Sequence, residues 1–148
     1  MKPVNKILTA DNILGLYQAN QERLEKLAYQ GLIAAQILSN RTAVARGWYN
    51  DPVTGEPLKE RNFGEVVSLM HSELSEALEA DRKDLMDDKL SHRNGVEVEF
   101  ADCIIRILDT AEATDRDVAG SFIEKNRFNQ VRSDHDLDDR ATAHGKKY

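Results

Sequence analysis

Apolar residues recur at helical spacing in four stretches of the chain, and segments dense in turn formers separate them. In the first stretch Ile13, Leu16, Tyr17, Leu24, Leu27, Ala28 and Ile33 share one periodicity. It predicts a long helix from the capping candidates Thr9 to Asn12 to about Ser39, with Gly31 as its weak point. Residues 41–48 continue that helix or follow a break near Asn40. Asn50-Asp51-Pro52-Val53-Thr54-Gly55-Glu56-Pro57 reads as a loop. The next helix opens at Asn62-Phe63-Gly64-Glu65, carries Val66, Val67, Met70, Leu74, Ala77 and Leu78, and runs to about Lys83 or Leu85. After a polar loop, a third helix is expected from about Val96 to Ala113, with Val98, Ala101, Ile104, Ile105 and Leu108 as its stripe. Thr114 to Asp117 connects it to a last helix from about Val118 to Val131. Residues 133–148 are too polar to pack alone and read as a C-terminal tail ordered by a partner subunit or a ligand. The expectation is an all-α, four-helix bundle forming a single domain over residues 1–148.

Composition narrows the picture. Prolines stand only at Pro3, Pro52 and Pro57, and the remaining sequence is rich in good helix formers. A chain of 148 residues, 41% hydrophobic and 31% charged, is long enough to bury a core without disulfides or a structural metal. The formal charge of −6 supplies no dominant basic face, so nucleic acid is not an expected partner. Cys103, the one cysteine, lies in an apolar run that suits a buried thiol rather than a nucleophile. No apolar run approaches the roughly 18 residues of a membrane span, so no membrane partner and a cytoplasmic location are expected.

The candidate chemistry lies in two acidic dyads, Glu73/Glu76 and Glu99/Asp102, on consecutive helices. Three-residue spacing puts both members of a dyad on one helix face, with Cβ atoms about 5–6 Å apart. Each dyad abuts an apolar stripe, so stripes that face one core bring all four carboxylates together at its edge. Two such charges about 5 Å apart repel by roughly 3 kcal/mol at an effective dielectric constant of about 20, so a converged cluster takes up protons or cations. Hard oxygen donors favour Mg²⁺, with Mn²⁺ as a substitute. Metal-assisted phosphate chemistry is the result. Lys125, Asn129 and Arg132, at i, i+4 and i+7 of the last helix, form a polar stripe suited to phosphate. The plainer alternatives are solvated acids paired locally, Glu76 with Arg82 or Lys83 and Asp102 with Arg106, and a helix end whose cations answer its dipole.

These residues together resemble the MazG-like, all-α nucleotide pyrophosphohydrolases. The family signature E-x-x-E followed by E-x-x-D is matched by Glu73, Glu76, Glu99 and Asp102, with residues 77–98 between the pairs. The flanking words Arg61-Asn62-Phe63-Gly64-Glu65 and Glu99-Phe100-Ala101-Asp102-Cys103-Ile104-Ile105-Arg106 are similar to phage-type members. Lys125, Asn129 and Arg132 resemble the closing K-x-x-x-N-x-x-R pattern, and His144-Gly145-Lys146-Lys147 the terminal H-G-x-K, here set further from Arg132 than is usual. The resemblance implies Mg²⁺ bound by Glu73, Glu76, Glu99 and Asp102, which are also the catalytic set, one carboxylate helping to activate water. It implies nucleotide contacts from Lys125, Asn129, Arg132 and Lys146, and a homodimer or homotetramer. The implied reaction is hydrolysis of a (d)NTP to (d)NMP and pyrophosphate, with dGTP the expected nucleotide. Two rivals stand beside it. A di-iron carboxylate bundle needs E-x-x-H pairs, and none of His71, His92, His135 or His144 follows a glutamate by three. A non-catalytic helical oligomerisation or interaction module would leave the acids as ordinary surface.

Overall fold

The computed structural model describes residues 10–135 and 137–142. Those residues are predominantly helical and contain no β-strand, so the fold is all-α. The helices are α1 (Ala10–Ala45), α2 (Phe63–Lys83), α3 (Gly95–Ala113), α4 (Val118–Gln130) and the short α5 (Leu137–Arg140), with a 3₁₀ turn at Ser133–His135. No helix among them is long and apolar enough to cross a membrane. Contacts divide the chain into two compact units: Met1–Gly31 with Ala119–Tyr148, and Leu32–Val118.

In the first unit, α1 is interrupted at Asn20, whose φ of −139° and ψ of 23° leave the helical region. The break falls there, at a residue of low helix propensity, and not at Gly31, which stays helical. Beyond the kink, Glu25 receives two hydrogen bonds from the Arg127 fork of α4, Nε to Oε1 at 3.0 Å and Nη2 to Oε2 at 2.6 Å. That fork and a bond from Gln21 hold the Glu25 carboxyl down to about 2.

The second unit carries the acids. Asn62 caps α2 by accepting from the Gly64 and Glu65 amides. The helix ends at Asp84, which adopts the left-handed conformation at φ 51°. The chain then turns through residues 84–94 into α3, capped by Asn94. Contacts run Ala80 to Gly95, Glu73 to Arg106 and Met70 to Cys103, so α2 and α3 pack antiparallel. Gly95 makes the close entry possible: a Cβ there would stand 2.9 Å from the Ala80 Cβ and 3.1 Å from the Leu85 carbonyl oxygen. The C-terminal half of α1 meets α3 through Gln36–Glu112 and Asn40–Asp109 hydrogen bonds.

The faces that pack keep Val66, Ala77 and Leu108 of the expected stripes but leave other bulky members outside. On α2 the buried positions are Val66, Glu73, Ala77 and Ala80, while Leu74 and Leu78 are 50% and 60% exposed. On α3 they include Cys103, Leu108 and Ala111, while Phe100, Ile104 and Ile105 are exposed. Small side chains at the contact let the two backbones approach closely, and the bulky ones are left on the outer faces. Among the described residues no large side chain is fully buried.

Candidate functional site

Antiparallel packing of α2 on α3 sets the first dyad against the second. Glu73, Glu76 and Glu99 each offer a carboxylate oxygen, and these atoms lie within 4.8 Å of one another. Glu73 is only 6% exposed because it sits on the packing face itself. Arg106, one turn beyond Asp102 on α3, donates Nε to Glu73 Oε1 at 2.6 Å. The sequence offered Asp102 as the local partner of Arg106, but the tertiary contact takes the arginine to the more deeply buried acid. Likewise the ion pairs of Arg82 and Lys83 go to Glu79, which leaves Glu76 to the cluster.

Electrostatics in the cluster follow from crowding. Burial, a hydrogen bond with Glu73 and the charges of Glu76, Glu73 and Asp102 push the Glu99 carboxyl up to about 7. Asp102 is also raised, by desolvation and by the Glu73 charge, with Arg106 opposing the rise. The acids border a cavity of about 680 Å³, and the connecting loop adds Asp87, Asp88 and Lys89 to its wall. Those loop residues were not singled out as site residues in the sequence, because a polar run between helices looks the same whether it faces a site or solvent. The donor chemistry of three closely set carboxylates, one driven towards protonation, fits a hard divalent cation.

A second cavity, of about 250 Å³, shares Asp102 and Arg106 with the first. Its remaining wall comes from the end of α1, the following loop, α2 and α3, and includes Arg46, Trp48, Arg61 and Asp109. Asp109 organises this wall. Its Oδ1 accepts from the Tyr49 hydroxyl at 2.7 Å and from Asn40 Nδ2 at 3.0 Å, and its Oδ2 accepts from Arg61 Nη1 at 3.1 Å. Burial and the adjacent carboxylate raise the Tyr49 hydroxyl above its usual range. The one readable signal for this wall was an acid in the apolar stripe of α3, two turns beyond Asp102.

The polar stripe expected on the last helix belongs to the first compact unit. Lys125 Nζ lies 4.8 Å from the Phe128 ring centroid, and Asn129 Oδ1 is buried without a hydrogen-bond partner among the described residues. The helix ends at Gln130, so Arg132 leaves the stripe. Its fork closes on Asp134, with Nε to Oδ1 at 2.8 Å and Nη2 to Oδ2 at 2.6 Å. Lys146, with His144 and Gly145, lies outside the described residues. Comparison with protein-family models, curated proteins and solved structures finds no match to the chain.

Proposed function

We propose that the chain is a Mg²⁺-dependent nucleoside triphosphate pyrophosphohydrolase of the MazG-like kind, acting on (d)NTPs with dGTP as the expected substrate. The observation that carries this reading is the convergence of Glu73, Glu76 and Glu99 at the α2–α3 contact, with Asp102 on the same cavity wall. Glu73, Glu76, Glu99 and Asp102 would hold the ion. When bound, it supplies the charge that orients the triphosphate, polarises the α-phosphorus and activates water. The chain's own part is positional and proton-handling. Glu73 is locked by Arg106, and a cluster carboxylate oxygen accepts the proton of the attacking water. Water oxygen bonds to the α-phosphorus, the bond to the bridging oxygen of the β-phosphate breaks, and pyrophosphate leaves with that electron pair.

The homodimer or homotetramer belongs to the same proposal. It is supported by Leu74 and Leu78 on α2 and by Phe100, Ile104 and Ile107 on α3, all left exposed. The same side chains favour the second reading, a non-catalytic helical interaction module. Incubation with single dNTPs and NTPs in Mg²⁺, with pyrophosphate as the readout, separates the two. The expected result is Mg²⁺-dependent release, best with dGTP, and a loss of about 100-fold or more in Glu73→Gln, since even indirect supports of a metal site cost 10–100-fold. No turnover of any nucleotide, with metal binding unchanged by Glu73→Gln, selects the module.

A further inference from the structure

Helix α3 closes after Ala113 in a two-bond cap. Asp115 takes the left-handed position at φ 51°. Its N–H donates to the Glu112 carbonyl at 3.3 Å, and the Arg116 N–H donates to the Ala111 carbonyl at 2.9 Å. That geometry fixes the Arg116 backbone beside the start of α2, where the guanidinium carbon lies 4.9 Å from the centroid of the Phe63 ring. A ring face holds a guanidinium without consuming the N–H donors at its edge. Among the described residues Arg116 has no carboxylate partner, and neither has Lys59.

Both side chains line a third cavity, of about 340 Å³, at the end of the helix pair where α2 begins and α3 ends. None of Glu73, Glu76, Glu99 or Asp102 borders it. Arg61 stands on its wall too, but its Nη1 is committed to Asp109, so the uncommitted charge comes from Lys59 and Arg116. Glu60 is the one carboxylate of the lining. A chain of net charge −6 thus gathers two unpaired cations around one concave surface, whose remaining wall includes the apolar Leu58, Val66 and Ala113. A guanidinium fork and an ammonium together suit a dianionic phosphate, whose oxygens accept from both. The volume corresponds to roughly eleven waters of liquid, which leaves room beside a phosphate for a small organic body on the apolar wall. We infer that this cavity is an anion site for a phosphate monoester with a small apolar body, held by Lys59 and Arg116. The site stands whether or not the acids cleave a phosphoanhydride.

Calorimetric titration in a chelator, where the bare acids repel anions, reads this site without metal. The expected result is phenyl phosphate bound about tenfold more tightly than inorganic phosphate, which lacks the body, and than benzoate, which lacks the second charge. Lys59 and Arg116 are exposed, so Lys59→Met and Arg116→Met leave the packed faces intact. Each should weaken phenyl phosphate by about tenfold, the loss of one hydrogen bond to a charged group. Glu60→Gln should act in the opposite sense and tighten binding about threefold by removing a like charge. Native affinity in the Lys59→Met/Arg116→Met double variant overturns the inference, as does inorganic phosphate or benzoate equalling phenyl phosphate. Lower thermal stability of Arg116→Met with unchanged affinity would make Arg116 a helix-end cation alone, and overturns it equally.

Discussion

Glu73 lies on the face of α2 that meets α3, in line with the buried Val66, Ala77 and Ala80. Its carboxylate is retained there beside Glu76 and Glu99, with Arg106 in direct compensation. Crowding of this kind has a measurable consequence at Glu99. Its folded-state proton affinity is raised from the ordinary glutamate range to about 7, so between roughly pH 4.5 and 7 the folded protein binds more protons than the unfolded chain. The Glu99 contribution therefore makes the metal-free protein less stable as pH rises through that window. Glu99→Gln should flatten this part of the profile and leave the protein equally or more stable at pH 8. Denaturant unfolding at several pH values in a chelator checks it; a stability that climbs with pH in the native protein and is unchanged by the substitution would contradict it. The acids themselves were legible in the sequence from their spacing. The partner of Arg106 was not, because one-turn neighbours can be read off a helix whereas Glu73 reaches Arg106 only across a helix pair.

Elements came close to their expected bounds where a local signal marks the end. Asn62 opens α2 and Asn94 opens α3 because each side chain accepts from an amide of the first turn. The break in α1 at Asn20 was not legible in the same way, since no proline or glycine marks it. The element whose geometry most directly controls the site is the turn between α2 and α3. Gly95 admits Ala80 at a distance no side chain tolerates, which sets how far α3 slides along α2 and so which dyad members meet. Gly95→Ala should therefore destabilise the fold by about 1–3 kcal/mol through overpacking. It should also lower the affinity for Mg²⁺, as read by calorimetric titration. An alanine variant as stable as the native chain, with unchanged ion affinity, would show that the entry to α3 is looser than this contact requires.

For the whole molecule, the distribution of apolar side chains carries the argument. Within Leu32–Val118 the packed faces are built largely from small residues, and the large ones stand outside. Covering Leu74 and Leu78 on α2, or Phe100, Ile104 and Ile107 on α3, needs a second surface, and a further copy of the chain supplies one under the proposed assembly. Ile104→Glu combined with Leu78→Glu should reduce the assembly to monomers in light scattering at micromolar concentration. Retention of the same mass in the double variant would place the interface elsewhere.

The helical class, the order of helices and the two acidic dyads were determined by the sequence alone, because periodicity, capping residues and i, i+3 spacing act within a turn or two of one helix. Tertiary packing alone decided which face of each helix is buried, that Glu73 pairs with Arg106, and that Asp109 gathers Asn40, Tyr49 and Arg61. The physical reason is common to all three. A sequence states which side chains share a face, but burial, ion pairing and cavity walls depend on which faces meet, and that is settled by how closely two backbones can approach.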